Sequence, residues 1–134
     1  MLDEALKEAL ASVPNCVAVG AVDLRSGTLL AMQAQEPRSQ EVLNLMTQAI
    51  TELFEAPLLQ AFADIYAGSH DRSGAQTGNP FTELLLLNDA HSYLLMRGRE
   101  KPHLALLMIA LKETPVGLLI LRTRALLPQI EQRA

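Results

Sequence analysis

The sequence predicts an α+β domain: a helix, two strands, a long helix, three strands and a closing helix. Three observations carry that expectation. Apolar residues make up 49% of 134 positions against 19% charged, a balance that suits one folded domain spanning 1–134 with a real core. Short apolar runs of strand length are separated by turn residues, and one long apolar stripe at helical spacing lies between them. A chain of this size withdraws roughly 70% of its unfolded surface from water, so it needs no covalent staples.

The first element is Leu2 to Leu10, where Leu2, Leu6, Ala9, Leu10 and Val13 share a helical face and Asp3 and Glu4 suit its N-terminus. Pro14 ends it, because the residue before a proline is pushed out of the α region. Positions 16–22 (CVAVGAV) are apolar throughout, as in a strand covered on both faces. Asp23 to Gly27 forms a hairpin turn, with Gly27 free to take positive φ, and Thr28 to Gln33 returns as the second strand. Ser39 is placed to cap the next helix.

That helix holds the strongest periodicity: Val42, Leu45, Met46, Ala49, Ile50, Leu53 and Phe54, continued by Leu58, Ala61, Phe62 and Ile65. One helix bent near Pro57 and running to about Tyr66 is expected. Positions 68–80 are glycine-rich and polar, the composition of a flexible loop. Two strands at 81–87 and 91–97 flank an Asx-type turn at Asn88. The apolar run at 104–111 has the length of a central strand. Thr114-Pro115 is expected to start the last helix, with Thr as cap and Pro at the first helical position. Gly117 in that helix points to close packing, and Pro128 is expected to interrupt it.

The run Leu104-Ala105-Leu106-Leu107-Met108-Ile109-Ala110-Leu111, a polar turn, and then Val116-Gly117-Leu118-Leu119-Ile120-Leu121-Arg122 resembles the last strand and helix of the roadblock (dynein light chain) family. The hairpin from Val19 to Leu30 is similar to that family's first hairpin, and the resemblance extends over almost the whole chain. Pro57 and the thirteen-residue glycine-rich stretch depart from the family pattern. The resemblance implies a five-stranded antiparallel sheet of order 2-1-5-4-3, in the roadblock/longin/profilin-like layout, with the long helix on one face and the terminal helices on the other. It also implies a homodimer, or a heterodimer with a roadblock paralogue, that lacks catalysis of its own. Roadblock proteins bind Ras-like small GTPases or act as scaffolds on motors and signalling complexes, and the bacterial MglB-type members act on a polarity GTPase.

The residues themselves offer little conventional chemistry. Gly68, Gly74 and Gly78 match neither a P-loop nor a dinucleotide fingerprint, so no nucleotide cofactor is expected. Ser69-His70-Asp71 carries triad letters, but adjacent loop residues cannot align a nucleophile, base and orienter. His70, His91 and His103 lack the spacing of a metal site, and Cys16 opens an apolar strand as a structural thiol. Neither a catalytic group nor a metal is therefore expected. The net charge of −4 with no Trp and two Tyr argues against nucleic acid. No uncharged run is long enough to insert into a membrane. One cysteine and the lack of a signal-like N-terminus lead us to expect the cytoplasm.

The remaining candidates are contacts. Leu45, Met46, Ala49, Ile50, Leu53 and Phe54 are core by default, but the stripe is wider than one sheet requires, so part of it is expected to form a dimer seam. Exposed Glu52 and Glu55, with Arg122 and Arg124 of the last helix, are the candidate partner-binding charges. Arg97, Arg99 and Lys101 are expected to form a solvated edge that resists aggregation. The leading function is a non-enzymatic dimeric regulator or scaffold for a small GTPase. The alternative is an acidic dimeric secretion chaperone that holds an effector segment.

Overall fold

The computed structural model describes residues 1–68 and 81–134. Its elements are α1 (Leu2–Ser12), β1 (Cys16–Asp23), β2 (Thr28–Ala34), α2 (Gln40–Glu55), α3 (Pro57–Tyr66), β3 (Glu83–Leu87), β4 (His91–Arg97), β5 (Leu104–Leu111) and α4 (Val116–Arg133). The strands form one antiparallel sheet of order β2-β1-β5-β4-β3. The expected loop at 68–80, and Ser69, His70, Asp71, Gly74 and Gly78 with it, lies outside the described residues apart from Gly68.

Local chemistry explains most of the turns. Gly27 takes φ +67°, as the β1–β2 hairpin requires. The Asn88 carboxamide oxygen accepts the backbone N–H groups of Ala90 (3.0 Å) and His91 (2.8 Å), closing the β3–β4 turn. Ser39 accepts the N–H of Val42 at 3.3 Å and caps α2.

The two faces of the sheet are covered by different helices. Ala5, Leu6 and Ala9 of α1 and Leu119, Leu127 and Ile130 of α4 pack on Val19, Leu94, Leu106 and Met108. On the other face, Ile50 and Phe54 of α2 pack on Val22, Leu95, Ala105 and Leu107. Between β1 and β5 the register sets Val19 opposite Met108 and Gly20 opposite Leu107, so the first and last strands form the middle of the sheet.

Four expectations are corrected. The long helix is two helices, α2 and α3, separated at Ala56, whose ψ of 116° is extended. Pro57 excludes the α conformation from the residue before it, then serves as the first residue of a new helix. Pro128 does not end α4, which runs on to Arg133. The carbonyl four residues earlier loses its helical partner, but burial of Ile130 and Glu131 holds the last turn in place. Thr114 is no cap: its hydroxyl donates to the Pro14 carbonyl at 2.8 Å, tying the start of α4 to the end of α1. Gly117 faces open space rather than a close neighbour.

A buried carboxylate accounts for the behaviour of α4. Glu131 is 3% exposed. Its Oε1 accepts the backbone N–H of Arg99 (3.2 Å), and its Oε2 accepts those of Glu100 and Lys101 (both 2.8 Å). Three charge-assisted bonds therefore fasten the β4–β5 turn to the last turn of α4. Gly98 is required beside it, because a Cβ there would collide with the Lys101 carbonyl oxygen.

Candidate interaction surface

The candidate surface starts from how α2 divides its stripe. Ile50 and Phe54 point into the sheet and are buried, Met46 and Leu53 are half-buried, and Leu45 and Ala49 are exposed. A helix whose apolar arc is wider than its footprint leaves one shoulder uncovered. Beyond Ala56 the pattern becomes more pronounced. Leu58, Phe62, Ile65 and Tyr66 of α3 are 83%, 62%, 73% and 86% exposed, and α3 buries none of its residues. The phenylalanine and tyrosine rings stand 6.3 Å apart.

The same side of the sheet carries a trough. Alternation along the strands brings Leu86 of β3, Tyr93 and Leu95 of β4, and Leu107 and Ile109 of β5 to the α2 face. Together with Met46, Ala49 and Ile50 they line an apolar groove of about 350 Å³. A second hollow of about 390 Å³ shares Met46, Tyr93 and Ile109 and continues toward Ala18, Met32 and His91. Soluble monomers rarely leave contiguous apolar surface of this kind uncovered.

Arg97 closes one end of this face. Its guanidinium stacks 4.8 Å from the Phe54 ring centroid and donates to the carbonyls of Phe81 (3.2 Å), Pro102 (3.1 Å) and Phe54 (3.4 Å). Burial lowers its pKa, while Glu55 acts in the opposite direction. Arg97 is thus a tie between β4 and the end of α2, on an interior strand, rather than part of a solvated edge.

The four candidate partner charges fall on opposite faces. Glu52 and Glu55 are exposed on α2, where Glu52 accepts from the Gln48 amide at 3.2 Å. Arg122 and Arg124 lie on α4, across the sheet. Arg124 donates twice to the Glu83 carboxylate, at 2.7 Å each, fastening α4 to edge strand β3. That pairing holds the Glu83 carboxyl below the usual glutamate range and raises the arginine. Arg122 donates to the Ser12 carbonyl at 3.2 Å. No single contact with a compact ligand spans all four charges.

Among the described residues, no group of three or more His, Cys, Asp or Glu is placed to hold a metal ion. His91 packs against Tyr93, with ring centroids 5.9 Å apart. Cys16 is buried, and burial pushes its thiol up to about 11, well away from the reactive range. No described helix is long and apolar enough to cross a membrane. Sequence reasoning missed Glu131 and the groove, since the first bonds a helix to a turn some 30 positions away and the second joins α2 to three strands.

An antiparallel 2-1-5-4-3 sheet with α2 on one face and both terminal helices on the other defines the roadblock/LC7 class of fold. The sequence by itself matches no family profile and no curated protein, but solved structures match along its whole length. A Roadblock/LC7 domain from Streptomyces avermitilis superposes with a TM-score of 0.70 at 13% identity, covering 98% of this chain and 95% of that one. The gliding protein MglB from Thermus thermophilus gives 0.71 at 18% identity, covering 99% and 90% respectively. An MglB with a tetrameric arrangement gives 0.72 at 16% identity, covering 98% and 85%. The chain has a roadblock fold of the MglB type.

Proposed function

We propose that the protein is a non-enzymatic, self-associating regulator or scaffold in the cytoplasm that binds a Ras-like small GTPase. The observation that carries this reading is the partly uncovered apolar α2 side of a sheet whose other side is covered by α1 and α4. An MglB-type fold adds support, because one such protein is known in a tetrameric arrangement and another is a gliding protein. The partner of the self-association is a second copy or a roadblock paralogue. Leu45, Met46, Ala49 and Leu53 supply its seam, with Ile50 and Phe54 as the support beneath.

Glu52 and Glu55 beside that seam are the charges we assign to GTPase contact. Arg122 and Arg124 offer a second, separate contact on α4. A regulator of this type acts by shape: it holds the switch loops of the GTPase in one nucleotide-dependent arrangement. It shifts that equilibrium only by its difference in affinity for the two states, and a ten-fold preference corresponds to about 1.4 kcal/mol.

The test is calorimetry against the small GTPases of the same genome, each loaded with GDP and with a non-hydrolysable GTP analogue. Binding that differs at least ten-fold between the two states is expected. Silence against every one of them in both states overturns the reading.

A further inference from the structure

The two edges of the sheet are finished differently. Edge strand β3 carries Glu83, which Arg124 of α4 holds through two hydrogen bonds. Edge strand β2 (TLLAMQA) has neither a charge nor a proline, the devices that ordinarily keep an exposed edge from pairing. Its one interruption is a bulge: Ala31 lies opposite Ala21 and Leu29 opposite Val22, so Leu30 is left over. Beyond the bulge the ladder is regular. The Gln35 N–H donates to the Val17 carbonyl of β1 at 2.9 Å, so by alternation Met32 and Ala34 turn their N–H and C=O groups away from β1. Both residues are half-buried, and among the described residues no group outside the sheet bonds to them.

This edge opens into a slot walled by α2. Beside Met32, Gln33 and Ala34 lies a hollow of about 250 Å³ bounded by Pro37, Arg38 and Leu43. Toward the hairpin, Thr28 and Leu29 face Gln40, Asn44, Gln48 and Thr51 across a hollow of about 500 Å³. We propose that the slot receives an extended peptide segment of a partner protein, added antiparallel to β2 as a sixth strand of the sheet. The site goes beyond the GTPase reading and does not depend on it.

In strand addition the main chain supplies the affinity and the surrounding side chains the selectivity. The α2 wall suits that division. Gln40, Asn44 and Gln48 are exposed and uncharged, and each amide both donates and accepts. A second folded copy would need an apolar core to its interface, which a wall of amides does not offer. Charge then sets the direction. Arg38 borders the Ala34 end of the slot and Glu52 the Gly27 end, while Glu36 lines the sheet-side hollow with His91. A strand antiparallel to β2 begins opposite Ala34 and ends opposite Thr28. The matching segment therefore has an acid at its N-terminal end, a base at its C-terminal end and uncharged residues between.

Fluorescence anisotropy tests this with a labelled seven-residue peptide, matched to the length of β2: alternating threonine and valine between an N-terminal aspartate and a C-terminal lysine. It should bind about three-fold or more tighter than the same peptide with its two charges exchanged. Glu52 is also a GTPase candidate, so the charge is tested at the other end, where Arg38→Glu should cancel the preference. N-methylation of alternate backbone amides shows whether the peptide binds as a strand. Methyl groups in one phase face β2 and should abolish binding, and those in the other phase face solvent and should leave it. Ala34→Pro removes an outward N–H without breaking the ladder to β1, so it should abolish binding while the melting curve stays in place; if that variant does not fold, the methylated pair carries the test. No binding of the unmethylated peptide at millimolar concentration, equal affinity for the two methylated phases, the opposite charge preference, or binding unmoved by a folded Ala34→Pro overturns the proposal. Self-association that the peptide dissolves assigns the edge to a second copy and likewise overturns it. The GTPase titration is read on a different partner, so either reading can fail alone.

Discussion

The two faces of the sheet differ in how completely their helices cover them. The α1/α4 side holds an unbroken set of buried residues from Leu6 to Ile130, closed by polar ties at Thr114, Arg122 and Glu131. The α2 side buries Ile50 and Phe54 but leaves Leu45, Leu86 and all of the α3 stripe in contact with water. Both faces are built from apolar strand residues, so hydrophobicity does not separate them. Covering helices do. Two helices converge on the first face, while the second has a single helix that breaks at Pro57. The first face is closed by its helices, and the second stays partly open to water.

The largest expected effect breaks that contrast directly. Leu106→Ala, on the packed face, should cost about 2–5 kcal/mol in urea unfolding. Leu45→Ala, on the open face, should stay within about 0.5 kcal/mol for the folded monomer yet weaken self-association. Equal costs at the two sites would mean the faces are not different in kind.

Next in size is the Glu131 clasp. Glu131→Ala leaves three backbone N–H groups without their acceptor and should cost about 1–3 kcal/mol or more. Hydrogen exchange should then rise at residues 99–101 and in the last turn of α4. Gly98→Ala should produce the same local signature by a steric route. Protection unchanged in both variants would mean the clasp is not what holds α4 past Pro128.

Thr114→Val tests the tie between the ends of the packed face. Loss of the bond to the Pro14 carbonyl should cost about 1 kcal/mol, read from the shift of the urea midpoint. A shift no larger than that of an exposed control substitution would remove Thr114 from the account.

The smallest effect concerns pH. Arg124 holds the folded-state carboxyl of Glu83 below its ordinary range, so the folded chain binds that proton less readily than the unfolded one. The contribution is complete above the ordinary glutamate range and is lost as pH falls through it toward the folded value. Arg124→Ala should lower the melting temperature slightly at neutral pH, and the two curves should meet in acid. Parallel curves down to acid pH would show that the pair adds nothing to stability.

Features that a few neighbouring residues decide were legible in the sequence. Gly27, Ser39 and Asn88 each act on backbone within three residues, and the structure uses them as their chemistry dictates. Prolines were harder to read, because context decides what a proline does. Pro57 begins a helix where nothing buried lies beyond it, whereas Pro128 is absorbed into a helix whose next turn is anchored by Ile130 and Glu131. Thr114 has the sequence of a cap but bonds to a carbonyl 100 positions away. The apolar groove was not legible at all, since it joins residues of α2, β3, β4 and β5 that share no local pattern.

The pairing of β1 with β5 bears on how the chain is made. Asp23 lies opposite Leu104 in the finished sheet, so the ribosome must add about 80 residues after β1 emerges before its inner partner exists. At roughly 5–20 residues per second that is ~4–16 s in which a strand apolar from Cys16 to Val22 waits with one edge unpaired. The β1–β2 hairpin can form early, but closure of the sheet is a late event dominated by distant contacts, a topology that folds slowly. Nascent β1 is therefore the segment whose inner edge stays unmet longest during synthesis.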